Sequence, residues 1–197
     1  MRWLAELRTF DRPERPQDPP PSIGERAPTV FGSHPRLIVF VRHVGCPFAE
    51  ATVRDLDLWR RRLPALPMAV ISQGDEMRLK SWLQEIGAAG LVEPKSVVQA
   101  DEETFRAWRI PVTSAAHFLG PRSLGGVLRL AVRGIRNRYP AGSRWRSAAA
   151  FVTDSGGHIV WRHLPAHAAD LPDLSEAVRR LESLLVEGVP LEGACDA

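Results

Sequence analysis

The sequence predicts an α/β domain: a mixed sheet flanked by helices, with a helical insertion before a C-terminal β-hairpin. Three observations carry this. Short apolar runs alternate with amphipathic segments of helical period between residues 36 and 108. Alternating strands and helices of this kind make a parallel sheet with helices on its faces. Two further apolar runs flank Asp154-Ser155-Gly156-Gly157, a strong hairpin signal.

The elements follow in order. Residues 1–35 form a proline-rich arm, with Pro13, Pro16, Pro19, Pro20, Pro21, Pro28 and Pro35. Prolines at this density favour extended backbone draped over a domain; only Trp3 to Leu7 has a weak helical pattern. Residues 36–187 form the domain and 188–197 a tail. Arg36 to His43, with its core Leu37-Ile38-Val39-Phe40-Val41, reads as a central strand buried on both faces. Pro47 suits the first turn of a helix. Phe48, Ala51, Leu56, Trp59 and Leu63 line one face of it, and Pro64 and Pro67 end it. Met68 to Ser72 is a second strand. Asp75 and Glu76 open a helix whose stripe is Leu79, Trp82, Leu83 and Ile86, closed by Gly87. Ser96 to Gln99 is a third strand, and Glu103 to Trp108 a short helix before Pro111. The segment 123–138 reads as a basic amphipathic helix, with Leu124, Val127, Leu128, Ala131 and Ile135 on one side and Arg129, Arg133 and Arg136 on another. The hairpin strands are Ala148 to Thr153 and His158 to Arg162. A last helix carries Leu174, Val178, Leu181 and Leu185. The order βαβαβα, inserted helix, ββ, α is thioredoxin-like.

Composition excludes several classes. Of 197 residues, 44% are apolar and 25% charged, which fits a globular domain. No apolar run approaches the roughly 18–20 residues that span a bilayer, and the N-terminus lacks the apolar block of a secretory signal; a cytoplasmic protein is expected. Two cysteines, Cys46 and Cys195, cannot staple a small scaffold. Six scattered histidines and two distant cysteines show no metal-ligand spacing, and neither a metal nor a cofactor is expected. The net charge is +3, with no acid from Trp108 to Thr153, where eight arginines fall. This makes a local positive field, but it is weak support for nucleic-acid binding, and none is expected. A solvated helix face is the plain reading of the basic helix, with an anionic partner or surface as its alternative.

Cys46 stands where the first strand hands over to a helix. A thiol at a helix start lies in the positive end of the dipole, which favours thiolate. Arg42 and His43, four and three residues earlier, add positive charge. Gly45 allows a tight turn. A buried, inert thiol is the competing reading.

Arg42-His43-Val44-Gly45-Cys46-Pro47-Phe48 resembles the Arg-x-x-Gly-Cys-Pro-Phe-Cys motif of the peroxiredoxin-like branch of the alkyl hydroperoxide reductase/thiol-specific antioxidant superfamily. Gln99-Ala100-Asp101 with Phe105, the Arg-rich helix, and Ala150 to Val160 around the hairpin are similar to later parts of that family, so the resemblance covers roughly residues 36–186. It implies a thioredoxin-like fold and a thiol-based, antioxidant oxidoreductase. Cys46 would attack a peroxide or other small oxidant and become a sulfenic acid. Arg42 would stabilise the sulfur and the departing oxygen, Arg144 or Arg146 would supply a second positive group, and His43 would move a proton. The family's second cysteine is replaced by Ala49, and His43 and Val39 stand where the peroxiredoxin Pro-x-x-x-Thr-x-x-Cys pattern has Thr and Pro. Regeneration then falls to an external thiol, thioredoxin-like or of low molecular weight, or to Cys195 of the same chain or of a second subunit in a homodimer. The alternative is a redox-silent binding or regulatory protein that uses the same pocket.

Overall fold

The computed structural model describes residues 13–28, 35–73, 76–92, 96–138 and 140–187. The expected Trp3–Leu7 segment, Asp75, Cys195 and the whole tail lie outside the described residues. Five strands form one mixed sheet: β1 (Arg36–Phe40), β2 (Met68–Ser72), β3 (Val97–Gln99), β4 (Ala149–Thr153) and β5 (Ile159–His163). Their spatial order is β3-β2-β1-β4-β5. β1, β2 and β3 pair in parallel, while β4 and β5 pair antiparallel beside β1. The helices are α1 (Pro47–Arg62), α2 (Glu76–Glu85), α3 (Glu102–Ala107), α4 (Ala115–Leu119), α5 (Pro121–Val132) and α6 (Leu174–Glu187).

The two faces of β1 feed different cores, because side chains alternate along a strand. Leu37, Val39 and Val41 pack with Leu56 of α1, Trp82 of α2 and Leu181 of α6. Ile38 and Phe40 pack with Phe105, Trp108 and Phe151. The Phe40 ring stands 5.3 Å from Phe105 and 5.2 Å from Trp108. The arm joins this second layer: Ala27 is buried in it, the Gly24 N–H donates to the Ile159 carbonyl at 2.8 Å, and the Ala27 N–H to the Gly157 carbonyl at 2.8 Å.

Two readings of the insertion are corrected. The basic helix ends at Val132 rather than 138, because Gly134 takes φ +78° and lets the Ile135 N–H turn back to the Leu130 carbonyl. Its buried residues are Ser123, Gly126 and Leu130, whereas Leu124 and Leu128 are exposed. A short helix, α4, also precedes it where only a connection was expected.

Candidate functional site at the β1–α1 junction

The chain leaves β1, turns at Gly45 with φ +87°, and enters α1 with Cys46 at the N-cap and Pro47 at the first helical position. Pro47 lacks the N–H that this position would leave unsatisfied. The Cys46 carbonyl accepts the first helical bond from the Glu50 N–H at 2.9 Å. The Cys46 side chain caps no helix N–H and is 1% exposed.

Arg42 reaches the sulfur. Its Nη1 donates to Cys46 Sγ at 3.7 Å, and its Nη2 to the Arg144 carbonyl at 2.9 Å. The guanidinium also stacks over Phe118 of α4 at 4.9 Å, and Phe118 packs on Trp145 at 5.5 Å. A planar group held on three sides keeps its fork in one orientation. The loop after α5 closes the site from above: Arg138 N–H donates to the Gly45 carbonyl at 2.9 Å, and Ala141 N–H to the Val44 carbonyl at 3.2 Å. Glu50, fully buried, anchors that loop through Arg138 and also pairs with Arg54 at 2.7 Å.

His43 departs from expectation in its charge. It is 5% exposed, and burial, reinforced by Arg42 and Arg144, pushes its pKa down to about 4. It is therefore neutral near pH 7 and adds no positive charge to the sulfur. Its Nδ1 lies 2.9 Å from the Val44 carbonyl, an acceptor, so Nδ1 carries the proton and Nε2 is left to accept one.

Arg146 is 1% exposed, and its guanidinium holds the Ile110 carbonyl at 2.7 Å and the Glu102 carboxylate. Glu102 in turn accepts from Gln73 Nε2 at 3.2 Å, and Gln73 Oε1 accepts the Ser143 N–H at 2.8 Å. This network holds the 143–146 backbone, including the carbonyl that Arg42 grips. Arg146 thus enters as support for the loop, and Arg144 contributes its carbonyl to Arg42 and its charge to His43. Gln73 and Phe118 were missed from the sequence: neither carries a local motif, and their partners lie far along the chain. Ala49, where the resembling motif has a second cysteine, lines a small cavity of about 20 Å³ with Arg42, Phe48, Thr52 and His117. Such a space holds about one water. Among the described residues no His, Cys, Asp or Glu cluster could hold a metal, and no helix is long and apolar enough to cross a membrane.

No family model matches the chain, and no curated protein matches it. Solved structures do. A peroxiredoxin-like protein from Aquifex aeolicus superposes with a TM-score of 0.57 at 12% identity, over 85% of this chain and 90% of that one. Peroxiredoxin 6 of Arenicola marina gives 0.52 at 13%, over 87% and 79%. The yeast mitochondrial 1-Cys peroxiredoxin gives 0.50 at 13%, over 89% and 84%. At such identities the likeness is one of fold: the chain has a thioredoxin-like fold in the arrangement that peroxiredoxins share.

Proposed function

We propose that this protein is a thiol-based oxidoreductase of one-cysteine type that reduces a peroxide at Cys46. The observation that carries the reading is Arg42 Nη1 at 3.7 Å from a sulfur seated at the N-cap of α1. A guanidinium and a helix start put full and partial positive charge beside the sulfur, where charge changes in the reaction. The sulfur lone pair attacks the terminal peroxide oxygen, the O–O bond breaks, and its electrons leave on the distal oxygen, which takes a proton. Cys46 becomes a sulfenic acid and the peroxide an alcohol or water. Arg42 would stabilise the departing oxygen, which takes up the proton that the thiol gives up; His43, held neutral by burial, would offer Nε2 as a hydrogen-bond acceptor only. One external thiol then condenses with the sulfenic acid, releasing water and leaving a mixed disulfide. A second thiol returns Cys46 and carries off the disulfide. Ala49 leaves no cysteine in the first helical turn to do this locally. In the yeast 1-Cys peroxiredoxin the thiol is resolved through glutathione and thioredoxin systems, and a reductant of that chemistry suits this chain. The tail's Cys195 is the internal alternative.

A second reading is a redox-silent binding protein, favoured by the 1% exposure of Cys46. Stoichiometric peroxide followed by sulfenate trapping and peptide mass spectrometry decides between them. Oxidation is expected first on Cys46 and lost in Cys46→Ser. A Cys46–Cys195 bridge assigns resolution to the tail; a persistent sulfenate with free Cys195 assigns it to an outside thiol. A Cys46 that stays reduced while free cysteine in the same tube oxidises defeats the peroxidase reading.

A further inference from the structure

We propose that the groove between α5 and residues 167–171 binds an organic anion with an apolar body, such as a medium-chain carboxylate. The groove has a volume of about 330 Å³ and is lined by Arg122, Arg129 and Arg133, with Phe48, Leu130 and Leu171 among its apolar wall residues. Ligand sites of a few hundred Å³ that are mostly apolar, with a few convergent polar groups, are the common form.

Helix geometry places the arginines together. Positions 122, 129 and 133 are two and three turns apart on one face, while exposed Leu124 and Leu128 occupy the opposite face. Arg122 and Arg129 have neither hydrogen bond nor ion pair among the described residues, and Arg133 shares its field with Asp55. No acid on the same stretch of chain, 109–153, offsets them. Arg129 and Arg133 complement the negative end of the helix dipole. Arg122 does not, because it stands in the first turn of α5, where a cation is unfavourable. Helix stability therefore explains two of the three and leaves Arg122 without a reason in the helix itself.

The close approach of the walls rests on Gly126. A Cβ there would lie 2.4 Å from Ala169 Cβ and 3.1 Å from Phe48 Cε1, so only glycine lets the helix sit this near the opposite wall. His167 closes one side of the groove, and its Nδ1 is buried without a hydrogen-bond partner among the described residues. A carboxylate would lie across the arginines with its chain over Phe48, Leu130 and Leu171.

The test is calorimetric titration of the full chain with octanoate, 1-octanol and acetate. Saturable one-to-one binding of octanoate is expected. Octanol and acetate should each bind at least about tenfold more weakly, since each lacks one half of the recognition. The double variant Arg122→Gln/Arg129→Gln should lose about tenfold or more while its unfolding midpoint stays near that of the parent, because both side chains are exposed. Added salt should weaken binding. Cys46→Ser should bind octanoate as the parent does, which separates this site from the thiol chemistry. Equal binding of octanol, or full binding by the double variant, overturns the proposal. So does binding to anionic phosphatidylglycerol vesicles with none to octanoate in solution, which would make the face a membrane contact.

Discussion

At the scale of single residues, the site turns on Arg42. Its guanidinium touches the sulfur, the Arg144 carbonyl and the Phe118 ring, so removing it takes away the one cation in hydrogen-bond reach of Cys46 among the described residues. Arg42→Ala should slow peroxide oxidation of Cys46 on the order of 10²-fold, the usual cost of losing one charge-stabilising donor. Arg42→Lys should recover only part, because an ammonium cannot serve sulfur and carbonyl with one planar fork. Stopped-flow oxidation of the three proteins checks this, and equal rates would take Arg42 out of the chemistry. Cys46 and Arg42 were legible in the sequence because their relation is local: a strand end, one turn and a helix start. The partners of Arg146 were not, since Ile110 lies 36 residues away and no motif joins them. The neutrality of His43 was hidden for another reason. It follows from how tightly Arg42, Arg144 and the surrounding core enclose the ring, and that is a property of packing.

At the scale of elements, α5 shows what periodicity leaves open. Leu124, Val127, Leu128, Leu130, Ala131 and Val132 spread over about 200° of the helix circumference at 3.6 residues per turn, an apolar arc too broad to say which of its edges is buried. The structure selects the face with the smallest residue: Gly126 is buried while Leu128 is 68% exposed. The neighbouring glycines then behave oppositely. A Cβ at Gly125 meets nothing within 4 Å, and one at Gly126 meets Ala169 at 2.4 Å. Gly125→Ala should stabilise the protein by about 0.5–1 kcal/mol through helix propensity alone. Gly126→Ala should destabilise it by about 1–3 kcal/mol despite the same gain, because the helix must move off its neighbour. Urea unfolding of both variants reads the two signs, and a stabilised Gly126→Ala would mean that α5 does not pack as closely as described. The early stop of the same helix was within reach: Gly134 followed by an apolar residue is a C-terminal signal, but the apolar and basic repeat running through to Arg138 masked it.

At the scale of the whole molecule, the alternation of buried runs and amphipathic segments was enough to give the class, a parallel sheet with helices on its faces, but not the spatial order of its strands. The pairing of β4 with β1, and the seating of residues 24–27 on β5, depend on contacts distant in sequence, and only the hairpin was signalled locally. Folding also ties stability to pH through His43. The ring is buried at the junction of β1 with α1, and its pKa falls from 6.5 to about 4 on folding. Between those values the unfolded chain binds a proton that the native protein refuses. Stability contributed by this group is therefore intact above pH 6.5 and is lost as pH falls toward 4, at about 1.4 kcal/mol per unit and on the order of 3 kcal/mol in all. His117, whose pKa burial also lowers with help from Arg42 and His167, adds a slope of the same sign. Carboxylates contribute mainly below this window and are common to parent and variant. His43→Asn keeps a donor for the Val44 carbonyl but has no proton to gain. Its unfolding free energy, measured by urea from pH 7 to 4.5, should fall distinctly less than that of the parent. The gap between the two curves should open below pH 6.5 and be flat above it. Parallel curves across that range would mean that His43 takes up its proton in the folded protein at an ordinary pH, and that the junction is open enough to hydrate it.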